Sequence, residues 1–115
     1  MECNIDLNVI NDVGSTGFHD ACFGGPVETV ELIIKNSVEY NIDLNVKNDD
    51  GSTGFHQACS SGHAEAVELI IKKSVKCNID LNAENDDGDT GYALSGDRVK
   101  KLILDNSAQF NIDLN

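Results

Sequence analysis

In residues 54–61 the apolar positions Phe55, Ala58 and Cys59 fall at i, i+3 and i+4, the spacing of one helix face. The pattern resumes after Gly62. Val67, Ile70, Ile71, Ser74 and Val75 form one stripe, while Glu65, Glu68, Lys72, Lys73 and Lys76 fall on the opposite side. This predicts a short helix over 54–61 and a longer one from His63 through Cys77. Thr53 is placed to accept a bond from an early amide of the short helix, and Gly62 to end it in the left-handed conformation that glycine tolerates. Ahead of them, Asn48-Asp49-Asp50-Gly51 is turn chemistry and predicts a hairpin or sharp loop. Behind them, Ile79-Asp80-Leu81-Asn82 alternates and predicts an extended return. Glu68 and Lys72 are an i, i+4 pair in the favourable order.

This unit occurs three times. Asn-Ile-Asp-Leu-Asn begins at Asn4, Asn41, Asn78 and Asn111, at intervals of 37, 37 and 33 residues. Residues 4–40 and 41–77 agree at 26 of 37 positions. Self-similarity at such a period is the mark of a stacked repeat array. The expectation is a single domain over 1–115, with units at about 4–40, 41–77 and 78–110 and a partial return segment at 111–115. In the first copy Gly25-Pro26 opens the second helix, with proline at the first helical position. In the third, Thr90-Gly91-Tyr92-Ala93-Leu94-Ser95-Gly96-Asp97 is shorter by four residues, close to one helical turn, so Tyr92 and Val99 keep their packing face. Lys100 stands there in place of Val67, and this copy reads as a cap with a polar outer side. The first copy shows no such cap, which invites weak head-to-tail self-association.

The motifs Gly51-Ser-Thr53-Gly-Phe-His56, Ala58-Cys59, Gly62-His63-Ala-Glu65, Val67-Glu-Leu69-Ile-Ile71 and Asp80-Leu81-Asn82 resemble the ankyrin repeat over nearly the whole chain. The resemblance implies an all-α repeat solenoid of ankyrin-type helix-turn-helix units with short hairpin or loop connections. It also implies that His19 and His56 are structural, bonding backbone across the repeat, and that Cys22 and Cys59 occupy small buried positions. Gly17, Gly54 and Gly91 depart from the family pattern, which has proline there, and this loosens the start of the short helix. The four residues beyond the usual period of about 33 fall at Lys73-Ser74-Val75-Lys76 and predict one extra turn of helix.

Charge adds a direction to this picture. Twenty acids against eight bases give a formal charge of −12, which disfavours nucleic acid and anionic membrane as partners. Lys35, Lys72, Lys73, Lys76, Arg98, Lys100 and Lys101 lie in the second half of each unit, and only Lys47 lies near the turns. The turns carry Asp12, Asp49, Asp50, Asp86, Asp87 and Asp89, so one edge of the array is expected to be acidic. No signal-peptide pattern or long apolar run is present, and the expected location is cytoplasmic, in a reducing compartment. Cys3 and Cys77 share a position that Tyr40 and Phe110 take elsewhere, which reads as packing rather than bridging.

Two groups of residues raise chemistry. His19/Cys22 and His56/Cys59 offer the inventory of a zinc site, but they sit on different helices about 8–10 Å apart, while zinc needs its ligands at roughly 2.0–2.3 Å. A Cys–His nucleophile pair would need an orienting third group, which the sequence does not supply. A calcium loop starting at Asp43 or Asp80 would need glutamate at its twelfth position, where Gly54 or Gly91 stands. No catalytic, metal or cofactor site is expected.

The expected function is a non-enzymatic protein-protein interaction scaffold with a concave acidic surface of turn tips and short helices. Candidate contacts are Asp12, Val13, Ser15, Asp20, Phe23, Asp49, Asp50, Ser52, Gln57, Ser60, Ser61, Asp86, Asp87 and Asp89, with Gly24 among the positions that vary between copies. The expected partner is a protein with a basic surface. The alternative, motivated by the near-identity of two copies, is an engineered or excerpted scaffold with a structural role only.

Overall fold

The computed structural model describes residues 10–114; the first Asn-Ile-Asp-Leu-Asn copy, Cys3 and Asn115 lie outside them. Six helices follow in three pairs: α1 (Gly17–Gly24) and α2 (Val27–Ser37), α3 (Gly54–Ser61) and α4 (Ala64–Lys73), α5 (Gly91–Leu94) and α6 (Asp97–Phe110). No strand occurs among the described residues. The short helices α1, α3 and α5 pack side by side in one layer, the long helices α2, α4 and α6 in a second, and each pair packs across the layers.

Each short helix starts on a threonine. Thr16, Thr53 and Thr90 have extended backbone, and their hydroxyls accept from the third helical amide. In the first two repeats a histidine returns the bond: Nδ1 of His19 accepts from the Thr16 amide at 2.9 Å, and that of His56 from the Thr53 amide at 3.0 Å. Two otherwise orphaned amides are satisfied at each start, a capping box with histidine in the usual place of glutamate. Ala93 replaces the histidine in repeat three, and only half of the box remains.

The helix ends depart from the sequence pattern in instructive ways. Gly62 ends α3 at φ 74, whereas its counterpart Gly25 is extended at φ −76 and ψ 168. Pro26 follows Gly25 and excludes the helical region for the residue before it. Pro26 and His63 are themselves N-caps, so α2 and α4 begin one residue later than expected. The long helices also stop early: α4 ends at Lys73 and residues 74–78 form irregular turn, leaving Val75 82% exposed rather than in the buried stripe. Buried Ser74 donates its hydroxyl to the Ile71 carbonyl, as Ser37 does to Ile34, which competes with the regular backbone ladder. Ser107 makes the same bond in α6, yet that helix continues to Phe110. Its next residue is Ala108, the strongest helix former, where the other copies have Val38 and Val75. The extra turn is therefore regular helix in repeat three alone.

Burial sorts each long helix into two apolar pairs. Ala66/Ile70 and Val67/Ile71 of α4 are all fully buried. In α2 only the Val30/Ile34 pair is buried, with Thr29 exposed and Ile33 half-buried; in α6 only Val99/Ile103 is, with Lys100 half-buried and Leu104 50% exposed. Among the described residues the middle repeat has a neighbour on both sides and the other two on one, so the pairs Thr29/Ile33 and Lys100/Leu104 face away from the described stack. Both outward faces carry a polar residue where α4 has an apolar one, and the Lys100 ammonium lies 5.2 Å from the centre of the Tyr92 ring. Tyr92 and Val99 pack on the core as expected.

Consecutive repeats meet at a ring on a glycine. A Cβ on Gly54 would collide with the Phe18 ring, and one on Gly91 would lie 2.7 Å from the Phe55 ring and 2.9 Å from Cys59 Sγ. The aromatic of one repeat therefore fills the space that a side chain would take on the next. No heavy atom of the described residues lies within 4 Å of the equivalent point at Gly17, and none of their rings lies upon it.

The recurring Asn-Ile-Asp-Leu-Asn string makes the other seam. Its first asparagine is left-handed at Asn41, Asn78 and Asn111, with φ of 54, 56 and 55. Ile42, Leu44, Ile79, Leu81 and Ile112 are buried, each contributing about 1.5–3 kcal/mol. The last asparagine reaches the next copy: Asn45 donates to the Asn78 carbonyl at 2.7 Å and accepts from the Asp80 amide at 2.7 Å. Asn82 repeats this with the Asn111 carbonyl at 3.1 Å and the Asp113 amide at 2.7 Å.

Glycine at these positions is tested by adding one methyl. Gly91→Ala is expected to lower stability by about 1–3 kcal/mol through overpacking, while Gly17→Ala, made in open space, changes it by less than about 1 kcal/mol. Urea unfolding followed by circular dichroism measures both.

Candidate functional site

The turn tips are built alike. The Asn11 side-chain oxygen accepts from the amides of Val13 and Ser15, each at 3.0 Å; Asn48 and Asn85 bind Asp50 and Ser52, and Asp87 and Asp89, in the same way. Gly14, Gly51 and Gly88 complete the turns at φ 75, 75 and 81. Neighbouring tips are tied by backbone: the Asp49 amide donates to the Val13 carbonyl at 2.9 Å, and the Asp86 amide to the Asp50 carbonyl at 3.0 Å. The carboxylates thus stand on a braced strip.

Along that strip Asp12, Val13, Asp49, Asp50, Asp86 and Asp87 are exposed. Beside it lies the free face of the short helices, with Asp20, Phe23, Gly24, Ser60 and Ser61 exposed and Gln57 half-buried. Asp89 is half-buried, its carbonyl accepting from His56. Two candidates do not belong to this surface. Ser15 and Ser52 are buried: the Ser15 hydroxyl accepts from Asn48 at 3.3 Å, and the Ser52 carbonyl takes the His19 ring. Ile10, 56% exposed just before the first tip, is an addition that the turn motif itself does not mark.

The His/Cys pairs belong to the frame. With Nδ1 of His19 accepting from the Thr16 amide, Nε2 carries the proton and donates to the Ser52 carbonyl at 2.7 Å; His56 donates likewise to Asp89 at 2.9 Å. Both nitrogens of each ring are thereby engaged. Burial pushes the Cys22 thiol far up, with Cys59 beside it adding to the effect, and pushes Cys59 up to about 12. Such thiols are poor nucleophiles and poor metal ligands. Cys22, Cys59 and half-buried Cys77 are free.

The basic residues occupy the other flank. Lys35, Lys72, Lys73, Arg98, Lys100 and Lys101 are on α2, α4 and α6, and Lys76 lies in the turn after α4. Lys72 pairs with Glu68 at 3.9 Å, as their spacing predicts. Lys47, alone among the tips, donates to the Glu84 carbonyl at 2.9 Å. No described helix is long and apolar enough to cross a membrane.

Paired helices stacked through repeated backbone seams, with turn tips and short-helix faces left over, define a helical repeat protein. A family model for ankyrin repeats, in three copies, matches residues 18–113, and the chain belongs to that family. Such repeats are usually non-catalytic modules that mediate protein-protein binding. Comparison with curated proteins gives no significant match.

The His56 bonds carry a pH signature. Burial lowers its pKa below the ordinary 6.5, because a protonated ring is poorly solvated there. Its contribution to stability is therefore complete above about pH 6.5 and declines as pH falls below that value toward the folded-state pKa. His56→Gln is expected to cost about 1–3 kcal/mol at pH 7.5, with the gap to the parent narrowing at pH 5.5 in paired urea titrations.

Proposed function

We propose that this chain is a non-enzymatic protein-binding module whose tips and short-helix faces take a protein partner presenting Lys or Arg. The observation that carries this reading is the division between frame and free positions. Residues that repeat in copies one and two, such as Thr53, Phe55, His56, Ala58 and Cys59, are buried and engaged with the neighbouring repeat or their own helix start. Of the positions that change between those copies, Val13/Asp50, Asp20/Gln57, Phe23/Ser60 and Gly24/Ser61 lie at the tips and short helices, and all but Gln57 are exposed; others, such as Asn36/Lys73 and Glu39/Lys76, lie on or beside the long helices. Accessible side chains that vary beside an unvarying short-helix frame are what partner recognition on a fixed solenoid produces. The carboxylates there and the cations on the opposite flank set its sign. The free thiols of Cys22, Cys59 and Cys77 suit a reducing, cytoplasmic setting.

Capture from a cell extract with the immobilised chain is expected to weaken as salt rises from 50 to 300 mM, since rim charges act through screened attraction. The set captured should be lost on changing Asp49, Asp50, Asp86 and Asp87 together to asparagine. It should persist when Lys72, Lys73 and Lys76 become glutamine. The reverse pattern would move the binding surface to the long helices.

A further inference from the structure

The three tips are not chemically equal. Position by position, Ile10 corresponds to Lys47 and Glu84, Val13 to Asp50 and Asp87, and Phe23 to Ser60. In repeat one all three are large apolar side chains, and all are open to water at 56%, 54% and 61%. The exposed apolar residues of the long-helix side of repeat one behave differently: Val38 recurs as Val75, Leu32 as Leu69, and Tyr40 gives way to Cys77 and Phe110, so none is exchanged for charge. Large apolar side chains of repeat one give way to charge or hydroxyl in repeat two only at the tip and on the free face of α1, where Phe23 lies one turn from Asp20. Exposed aromatic and branched side chains on the tip and short-helix side of one repeat, beside a strip lined with charge, are the composition of an interface centre with a charged rim.

Resting on the binding function proposed above, we propose that this surface is graded, an apolar seat on Ile10, Val13 and Phe23 continuing into an acidic track on repeats two and three. Its occupant is a protein segment with a bulky apolar side chain at one end and Lys or Arg further along. Neighbouring repeats stand about 8–10 Å apart, so the cations lie one to two such steps, about 10–20 Å, from the anchor. Charge complementarity selects this partner: Asp49, Asp50, Asp86 and Asp87 are exposed on the track, and the one lysine beside it, Lys47, is bonded to the Glu84 carbonyl. The apolar seat supplies affinity at one point, and the track fixes direction and excludes acidic segments.

The test borrows its substitutions from repeat two. Val13→Asp and Phe23→Ser install the residues that the same frame already carries at positions 50 and 60, and a circular dichroism melt verifies the fold. Displayed random 12-residue peptides are selected on the full chain and on this double variant. Selection on the parent is expected to enrich peptides with Trp, Phe or Leu at one end and Lys or Arg at the other. Those peptides should bind the double variant about tenfold more weakly, a loss of about 1.4 kcal/mol. They should also weaken on the parent as salt rises. If the enriched peptides are basic only, are lost on neutralising the four tip aspartates and are unchanged by the double variant, the seat is wrong and the binding function stands. If neither variant affects any binder, both fall. Light scattering supplies the remaining outcome: a concentration-dependent rise in mass that the double variant abolishes would make a second copy the occupant and overturn the proposal.

Discussion

The stack depends on one contact, the phenyl ring of a short helix lying on the glycine that opens the next. Phe18 covers Gly54 and Phe55 covers Gly91, and in each case a single added carbon has no room. Close approach of this kind sets how near consecutive helices come, and other seams follow from that distance. His19 reaches the Ser52 carbonyl and His56 the Asp89 carbonyl only because the short helices are held at that separation. The asparagine clamps then close the far edge, so that each repeat is gripped by ring, imidazole and amide along its width.

Such a frame divides labour among residues. Everything that faces the neighbouring repeat is tied to its identity, because a changed ring, glycine or histidine disrupts a contact on another repeat. The tip backbone is equally fixed, each Asn side chain holding two amides and each tip bonded to the next. Most side chains on the outer surface of the tips and short helices carry no such obligation, although the Ser61 hydroxyl donates to the Cys22 carbonyl and Lys47 to that of Glu84. Their chemistry can change without cost to the stack, and it does change: Ile10, Val13 and Phe23 of repeat one stand where repeat two has Lys47, Asp50 and Ser60. The mixed charges of the long helices keep the opposite flank distinct from it.

Much of this was legible in the chain because its strongest signals are local. The turn Asn-Asp-Asp-Gly, the threonine cap, and the helical spacing of Phe55, Ala58 and Cys59 each act within a few residues, and repetition multiplied them. The signals that were missed act across repeats or depend on small energies. Val75 looked like part of a buried stripe, yet the helix gives way at Ser74, where propensities differ by only tenths of a kcal/mol. Gly54 read as a loosened helix start because the ring that requires it, Phe18, is 36 residues away in the chain. Ser15 and Ser52 looked like contacts since they are polar and adjoin the tips; one hydroxyl and one carbonyl bonded to a neighbouring repeat make them part of the frame. Ile10 was missed because its neighbours carry the turn motif and it does not.

The most direct test of ring-on-glycine coupling is a double-mutant cycle joining Phe18→Val and Gly54→Ala, with unfolding free energies from urea titration. If the ring fills the space over the glycine, Gly54→Ala is costly with Phe18 in place and far cheaper once the ring is gone. The coupling between the two changes should then be at least about 1 kcal/mol, the size expected of residues in direct contact. Additive costs, with the alanine equally harmful in both backgrounds, would contradict the account and place the spacing of the stack elsewhere.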